Sequence, residues 1–366
     1  MSLINTRIQN ARANGNLDKY ELRPSRYGAL NLFMSQTEDP AGLITEELKA
    51  KAEKSIGSTL ETPVIEFDAG VTIGDTRSVV IADSENTSDM YQITFTTYSW
   101  GFTSVPSLFL NNEVSMQKDF ERKFKKYLYK FGEVLDAAAV AALASAKTQV
   151  FADLLNYTET GFAVIAPWKS RENVIGDINP MMAANDYFSD IHVLGNAGVE
   201  SIIRKLAQKD LYNVENKTLE YSDKILHFST RVSNDVGEFA NMYAVNGGSL
   251  GILTRFDREA ILGTSMADGT EWGIETLPLL NFPVGTYYYE SKGDYSAIAG
   301  AASADMTAVR KEHYGFSVDV AFITPLMGAA ATPIMKLTIS SEDVTDAMDI
   351  RIVNSEADPV NTKEVV

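Results

Sequence analysis

The sequence predicts a mixed α+β chain, and three observations predict it. Residues 111–156 hold a long helical period, a block of β-branched and aromatic residues precedes it, and short alternating strand and helix patterns follow it. At 366 residues the chain is long enough to bury a sizeable core. It contains no internal repeat, low-complexity tract or Pro/Ser linker that would divide it into independent domains.

Taken in order, residues 1–28 scatter apolar positions among Asn, Arg and Gly and include the breaker Asn14-Gly15-Asn16. They read as an arm rather than a packed unit, with a short helix over 3–13. Residues 43–56 carry an amphipathic pattern, and Thr45 followed by Glu46 and Glu47 supplies its N-terminus. From Thr62 the residue types change, giving strands at 64–67, 71–73, 78–81 and 91–98. The polar run 83–89, with Asp83, Asn86 and Asp89, separates two alternating strands as the tip of a long hairpin. A two-stranded ribbon is marginal alone in water, so it is expected to lie on a neighbour, in this chain or in another subunit. Tyr98, Trp100 and Phe102 alternate along the descending strand and share one face. Burial within the chain is their default, and docking on an adjacent subunit is the alternative.

The helix over 114–155 places Phe120, Phe124, Tyr127, Phe131, Val134, Ala138, Ala142 and Ala146 near one face. Some ~40 residues at 1.5 Å each would extend ~60 Å, with Gly132 as a place for a bend. Beyond it, strands are expected at 191–194, 225–230, 242–245, 286–289, 314–323 and 334–339, and a helix at 199–208.

Composition excludes several chemistries. There is no cysteine, hence no disulfide, thiolate nucleophile or sulfur-based zinc site. His192, His227 and His313 lie far apart in sequence without metal-ligand spacing, so each reads as structural and no metal is expected. The net charge of −17 argues against a chain that grips phosphates directly, while allowing an acidic wall around nucleic acid. Neither a P-loop nor G-x-G-x-x-G occurs, so no nucleotide cofactor is expected. No segment offers an 18-residue apolar run, so no membrane span is expected. One catalytic-looking motif remains. Gly247-Gly248-Ser249-Leu250-Gly251 fits G-x-S-x-G after a strand and before a helical pattern at 255–262, and His313 is the one histidine downstream of it. Without regular β-α alternation upstream, a glycine-rich turn is the better reading.

The order of elements, together with three stretches, carries a resemblance. The stretches are Leu135-Asp136-Ala137-Ala138-Ala139-Val140-Ala141-Ala142-Leu143 leading to Lys147-Thr148-Gln149-Val150, the run Tyr314-Gly315-Phe316-Ser317-Val318-Asp319-Val320-Ala321-Phe322, and the hairpin before the helix. The chain resembles the major capsid proteins of tailed bacteriophages, the Hong Kong 97-like fold. That resemblance implies an N-terminal arm with a short helix over 1–59, an extended loop over 60–110 and the spine helix of a peripheral domain over 111–158. It further implies an axial domain over 159–333 and a C-terminal return to the peripheral domain over 334–366. It implies a structural protein and not an enzyme, self-assembling through hexamers and pentamers into an icosahedral shell around double-stranded DNA, with scaffolding, portal or decoration proteins as further partners. The expected location is the virion, after assembly in the bacterial cytoplasm. Asp83, Asn86, Asp89, Tyr98, Trp100 and Phe102 become the candidate inter-subunit contacts. The lysine and asparagine that crosslink some family members have no matched positions here. An encapsulin-like nanocompartment shell is the alternative within the fold, and a serine hydrolase using Ser249 the alternative outside it.

Overall fold

The computed structural model describes residues 3–13, 27–38, 44–65, 88–106, 116–147, 157–207, 220–255, 270–293, 309–324 and 333–341, apart from a few positions within these ranges. Two large cores, joined through one sheet, and one small core organise them.

The first core is built on helix α4 (Met116–Ala146, 31 residues, about 46 Å at 1.5 Å per residue). The helix runs unbroken through Gly132. A Cβ at that position would stand 2.9 Å from Cζ of Tyr27 and 3.1 Å from Cδ2 of Leu280, so the glycine makes room for its neighbours. Residues 111–115 and 148–156 of the expected helix lie outside the described residues. The buried stripe is Phe120, Phe124, Leu128, Phe131, Leu135, Ala139 and Leu143. Tyr127 and Val134, expected on it, are 36% and 41% exposed. The aromatic half of the stripe is legible in sequence because its rings are large. In the alanine-rich half every face is nearly equally apolar, and the partner surface chooses one turned by a single residue.

That partner is an antiparallel sheet of β3 (Thr96–Ser104), β10 (Gly251–Arg255), β11 (Glu271–Leu277), β12 (Phe282–Gly293) and β13 (Val309–Ile323). The long β13 is the shared strand. One edge takes β3 along Glu312–Val320, and the other takes β12 up to Ser317 and then β10 from Asp319 onward. Helix α1 (Leu3–Ala13) closes the β11 border of this sheet, burying Ile4, Ile8 and Ala11 in the same core. Arg12 Nη2 donates to the Thr276 carbonyl at 2.5 Å and Asn5 Nδ2 to that of Ile274 at 3.4 Å. Residues 3–13 are therefore packed structure; three apolar side chains on one helical face suffice once a sheet edge is there to receive them.

Helix α2 (Gly28–Thr37) has no sequence expectation behind it and lies deep between the layers. Its first turn has no side-chain cap of its own. Instead Asp136 of α4, fully buried, accepts from the amides of Ala29 (2.9 Å) and Leu30 (3.0 Å), from Ser229 Oγ (2.5 Å), and lies 3.6 Å from Arg231 Nη1. A carboxylate at a helix N-terminus satisfies orphan donors and meets the positive end of the helix dipole. Burial pushes the Asp136 pKa up, against the lowering pull of Ser229, Leu30, Arg231 and Ala29. At the other end of α2, Gln36 Oε1 accepts from Leu250 N and Thr37 Oγ1 from Ile252 N, both at 2.8 Å.

The second core lies under a seven-stranded mixed sheet in the order β4-β5-β14-β9-β6-β8-β7. Its strands are β4 (Thr158–Thr160), β5 (Ala163–Ala166), β6 (Ile191–Gly195), β7 (Glu220–Tyr221), β8 (Lys224–Phe228), β9 (Glu238–Asn246) and β14 (Ile334–Ser340). Helices α5 (Val174–Ala183) and α6 (Ala197–Ala207) pack into this core through Val174, Ile175, Ile178, Val199, Ile202 and Ile203. Leu194, Tyr243, Val245 and Ile334 on the opposite face join the first core.

The strands sort between the two sheets by pairing and not by chain order. Strand β14 does not return to the spine's sheet; it is central in the other one, parallel to β5 and antiparallel to β9. Conversely β10–β13, expected in the axial part, form the sheet that carries α4. A strand as apolar as β14, with Met335, Leu337 and Ile339 fully buried, needs neighbours on both edges, and the sheet that offers them is set by partners far away in sequence.

Candidate assembly site: the ribbon and its mount

Strands β1 (Thr59–Ile65) and β2 (Ser88–Thr94) form a two-stranded antiparallel ribbon, in register from Thr59↔Thr94 to Ile65↔Ser88. Among the described residues it pairs with no third strand. Met90 is 59% and Tyr91 38% exposed on it. Asp83 and Asn86 lie outside the described residues. Asp89 sits inside β2 opposite Val64, so it belongs to a paired strand and not to a tip.

The base of the ribbon is firmly held. Helix α3 (Glu46–Lys54) begins where the sequence predicts, with Thr45 Oγ1 accepting from Leu48 N at 3.2 Å. Its C-terminal side reaches β1 through Gly57, whose φ of +99° favours glycine. Ile44, Ala52, Leu60, Ile93, Phe95, Leu253, Ala321 and Ile323 make a small separate core there. Arg255 bolts this core to the sheet. Its Nε donates to Asp319 Oδ2 at 3.0 Å, its Nη1 to Ser55 Oγ at 2.9 Å, its Nη2 to the Gly57 carbonyl, and its guanidinium stacks 4.2 Å over the Phe95 ring. Thr97 Oγ1 donates to the second oxygen of Asp319 at 2.6 Å. The two charged side chains are only 5% and 10% exposed, so the pair works with little solvent screening.

Tyr98, Trp100 and Phe102 turn inward instead of outward. Trp100 stacks on Phe316 with centroids 3.9 Å apart and lies 5.8 Å from Phe124, while Phe102 packs on Phe120 and Tyr314, both at 5.4 Å. Phe102 is buried and the other two are half-buried against the first core. The strand that carries them pairs with β13 across the face of α4, and the spine's own Phe124 and Phe120 meet Trp100 and Phe102.

The hydrolase motif does not assemble. Ser249 sits in the turn between β9 and β10, where its Oγ donates to the Asn246 carbonyl at 2.6 Å and Gly248 takes a φ of +74°. The amide of Leu250, which an oxyanion hole would need, is taken by Gln36. His313 lies in β13, ten positions from the Ile323 that pairs with Gly251, or roughly 33 Å along a strand. Its ring nitrogens meet Thr103 Oγ1 at 3.1 Å and Ser291 Oγ at 2.7 Å.

What sequence spacing did not reveal is a histidine pair. Parallel pairing of β6 with β8 brings His192 Nδ1 within 3.2 Å of His227 Nε2, the rings stacked on the sheet face turned toward α2. Burial, and secondarily His192, pushes the His227 pKa down to about 3. Its folded value lies below the ordinary 6.5, so the stability tied to the neutral ring is complete above pH 6.5 and is lost as pH falls toward 3. Denaturant unfolding should therefore show a loss approaching about 2 kcal/mol between pH 6.5 and 5, at one proton per pair. His227→Gln should flatten that slope; equal slopes in the two proteins would remove the pair as its source.

No family model matches the sequence, and no curated protein matches it. Among solved structures the chain is similar to one of the "Cyanophage Pam1 capsid asymmetric unit", at 11% identity and a TM-score of 0.45, covering 80% of this chain and 87% of that one. It is also similar to a chain from "Mycobacterium phage Che8", at 11% identity and a TM-score of 0.46, covering 82% and 89%. A third is the "Capsid of native GTA particle computed with C5 symmetry", at 9% identity and a TM-score of 0.46, covering 83% and 93%.

Proposed function

We propose that the chain is a structural shell subunit, a major capsid protein of the Hong Kong 97-like kind that assembles with copies of itself around double-stranded DNA. The observation that carries this reading is the ribbon: a two-stranded sheet with large apolar side chains in water, mounted on a buried ion pair and its own small core. Such a ribbon is marginal by itself, and a stiff mount is of use when the surface must be presented to something beyond the chain. In this reading α4 and the five-stranded sheet form the peripheral part, and the seven-stranded sheet with α5 and α6 forms the axial part that gathers in hexamers and pentamers. Each contact is modest, and closure of the shell multiplies them. The subunit ends in the virion after assembly in the host cytoplasm.

Light scattering on a sizing column followed by negative-stain microscopy tests this directly. Megadalton polyhedra are expected. Monomers and small oligomers alone, across salt and protein concentration, would contradict it. Within the same assay Met90→Asp places a charge on the exposed ribbon face and should cut particle yield about tenfold, an assembly penalty of about 1.4 kcal/mol. The melting temperature of the subunit should not move, and unchanged yield would take the ribbon out of the interface.

A further inference from the structure

We infer that the outer ridge of α4 is a docking surface for the phosphate backbone of double-stranded DNA, which rests on the reading of the chain as a DNA-enclosing shell. The whole chain carries a charge of −17, yet this ridge carries four cations. Lys118, Arg122, Lys126 and Lys130 are all exposed and recur every four residues. The four carboxylates of the helix are placed elsewhere: Glu121 and Asp136 are buried, and Asp119 and Glu133 are half-buried. Asp119 is held by Lys123 at 2.7 Å and Glu133 lies 3.4 Å from Arg231, while Lys130 also reaches Glu133 at 3.5 Å.

Three physical points favour DNA over an acidic protein. Like charges four residues apart weaken a helix, and Lys118/Arg122, Arg122/Lys126 and Lys126/Lys130 are three such pairs in succession on a face where any polar residue would fold as well. The ridge is also regular: its cations stand about 6 Å apart and span about 18 Å, a length over which one DNA strand presents about five phosphates. Three of the four are lysines, which are depleted from protein interfaces and abundant at phosphates.

The test measures binding of a fluorescent 30-base-pair duplex of random sequence by the full chain between 50 and 200 mM salt. With four phosphate contacts the affinity should fall about 150-fold across that range, and in Arg122→Gln/Lys126→Gln/Lys130→Gln about fourfold. Lys54→Gln/Lys205→Gln/Lys292→Gln, which removes the same net charge from other exposed positions, should behave as the unmodified chain. Equal salt slopes in the two triple variants would overturn the inference. So would a chain that fails to bind duplex at 50 mM while the ridge variant changes self-association, which would assign the ridge to a second copy. Particle formation is read on the same samples. Particles without ridge-dependent DNA binding sink this inference and leave the shell reading standing; ridge-dependent binding by a protein that never forms particles does the reverse.

Discussion

Arg255→Met is expected to lower subunit stability by about 3–5 kcal/mol, because it leaves Asp319 charged, buried and without its cation. Methionine replaces most of the packing volume of the arginine, so the loss reads the charge and its hydrogen bonds more than a cavity. Thr97 still donates to Asp319, but Ser55 and the Gly57 carbonyl lose their donor and Phe95 its stacked guanidinium. These groups form the base of the ribbon, so particle yield should collapse further than with Met90→Asp. The double variant Arg255→Met/Asp319→Leu removes both charges and should recover much of the stability, since a buried pair is often no better than apolar residues of similar size. Urea unfolding measures both; a single-variant loss under about 1 kcal/mol, or no recovery in the double variant, would show that the clamp is not what holds the mount.

Asp136→Ala should cost a similar amount, about 3–5 kcal/mol, for a different reason. The alanine leaves the Ala29 and Leu30 amides, the Ser229 hydroxyl and Arg231 without their shared acceptor in a site closed to water. Asp136→Asn separates cap from charge. Its carbonyl oxygen can still accept from both amides, and it removes the ion whose burial raises the aspartate pKa. The asparagine variant is therefore expected to retain most of the stability, within about 1 kcal/mol. If both variants unfold alike, the negative charge and not the acceptor geometry is what α2 requires. Hydrogen exchange at the first turn of α2 provides the local readout: protection there should vanish in the alanine variant before it does in α4.

The candidate site was only partly legible. The ribbon announces itself through β-branched residues before the long helix, and Thr45 marks the start of α3 correctly because a cap and its acceptor amide are three residues apart. Arg255 gave no signal. Its four partners, Asp319, Ser55, Gly57 and Phe95, come from three separate parts of the chain, and a lone arginine beside a Gly-rich turn looks like a solvated cation. Asp136 was hidden in the same way, as one acid in an alanine-rich helix whose function is to cap another helix 107 residues earlier.

By itself the sequence determined the mixed class, the long helix, α3 with its Thr45 cap, α6, and strands β6, β8, β9, β12, β13 and β14. All of these are recorded in periods and caps that act within a few residues. The tertiary structure alone decided that β14 belongs to the seven-stranded sheet, that α1 and α2 are buried, that Tyr98, Trp100 and Phe102 face the spine, and that His192 meets His227. Strand pairing and face choice are long-range events: Thr97 meets Asp319 across 222 positions, and every strand has two faces and two edges that local preference leaves equivalent. Which of them is taken depends on the free energy of burying the whole surface at once, a quantity no short window of sequence contains.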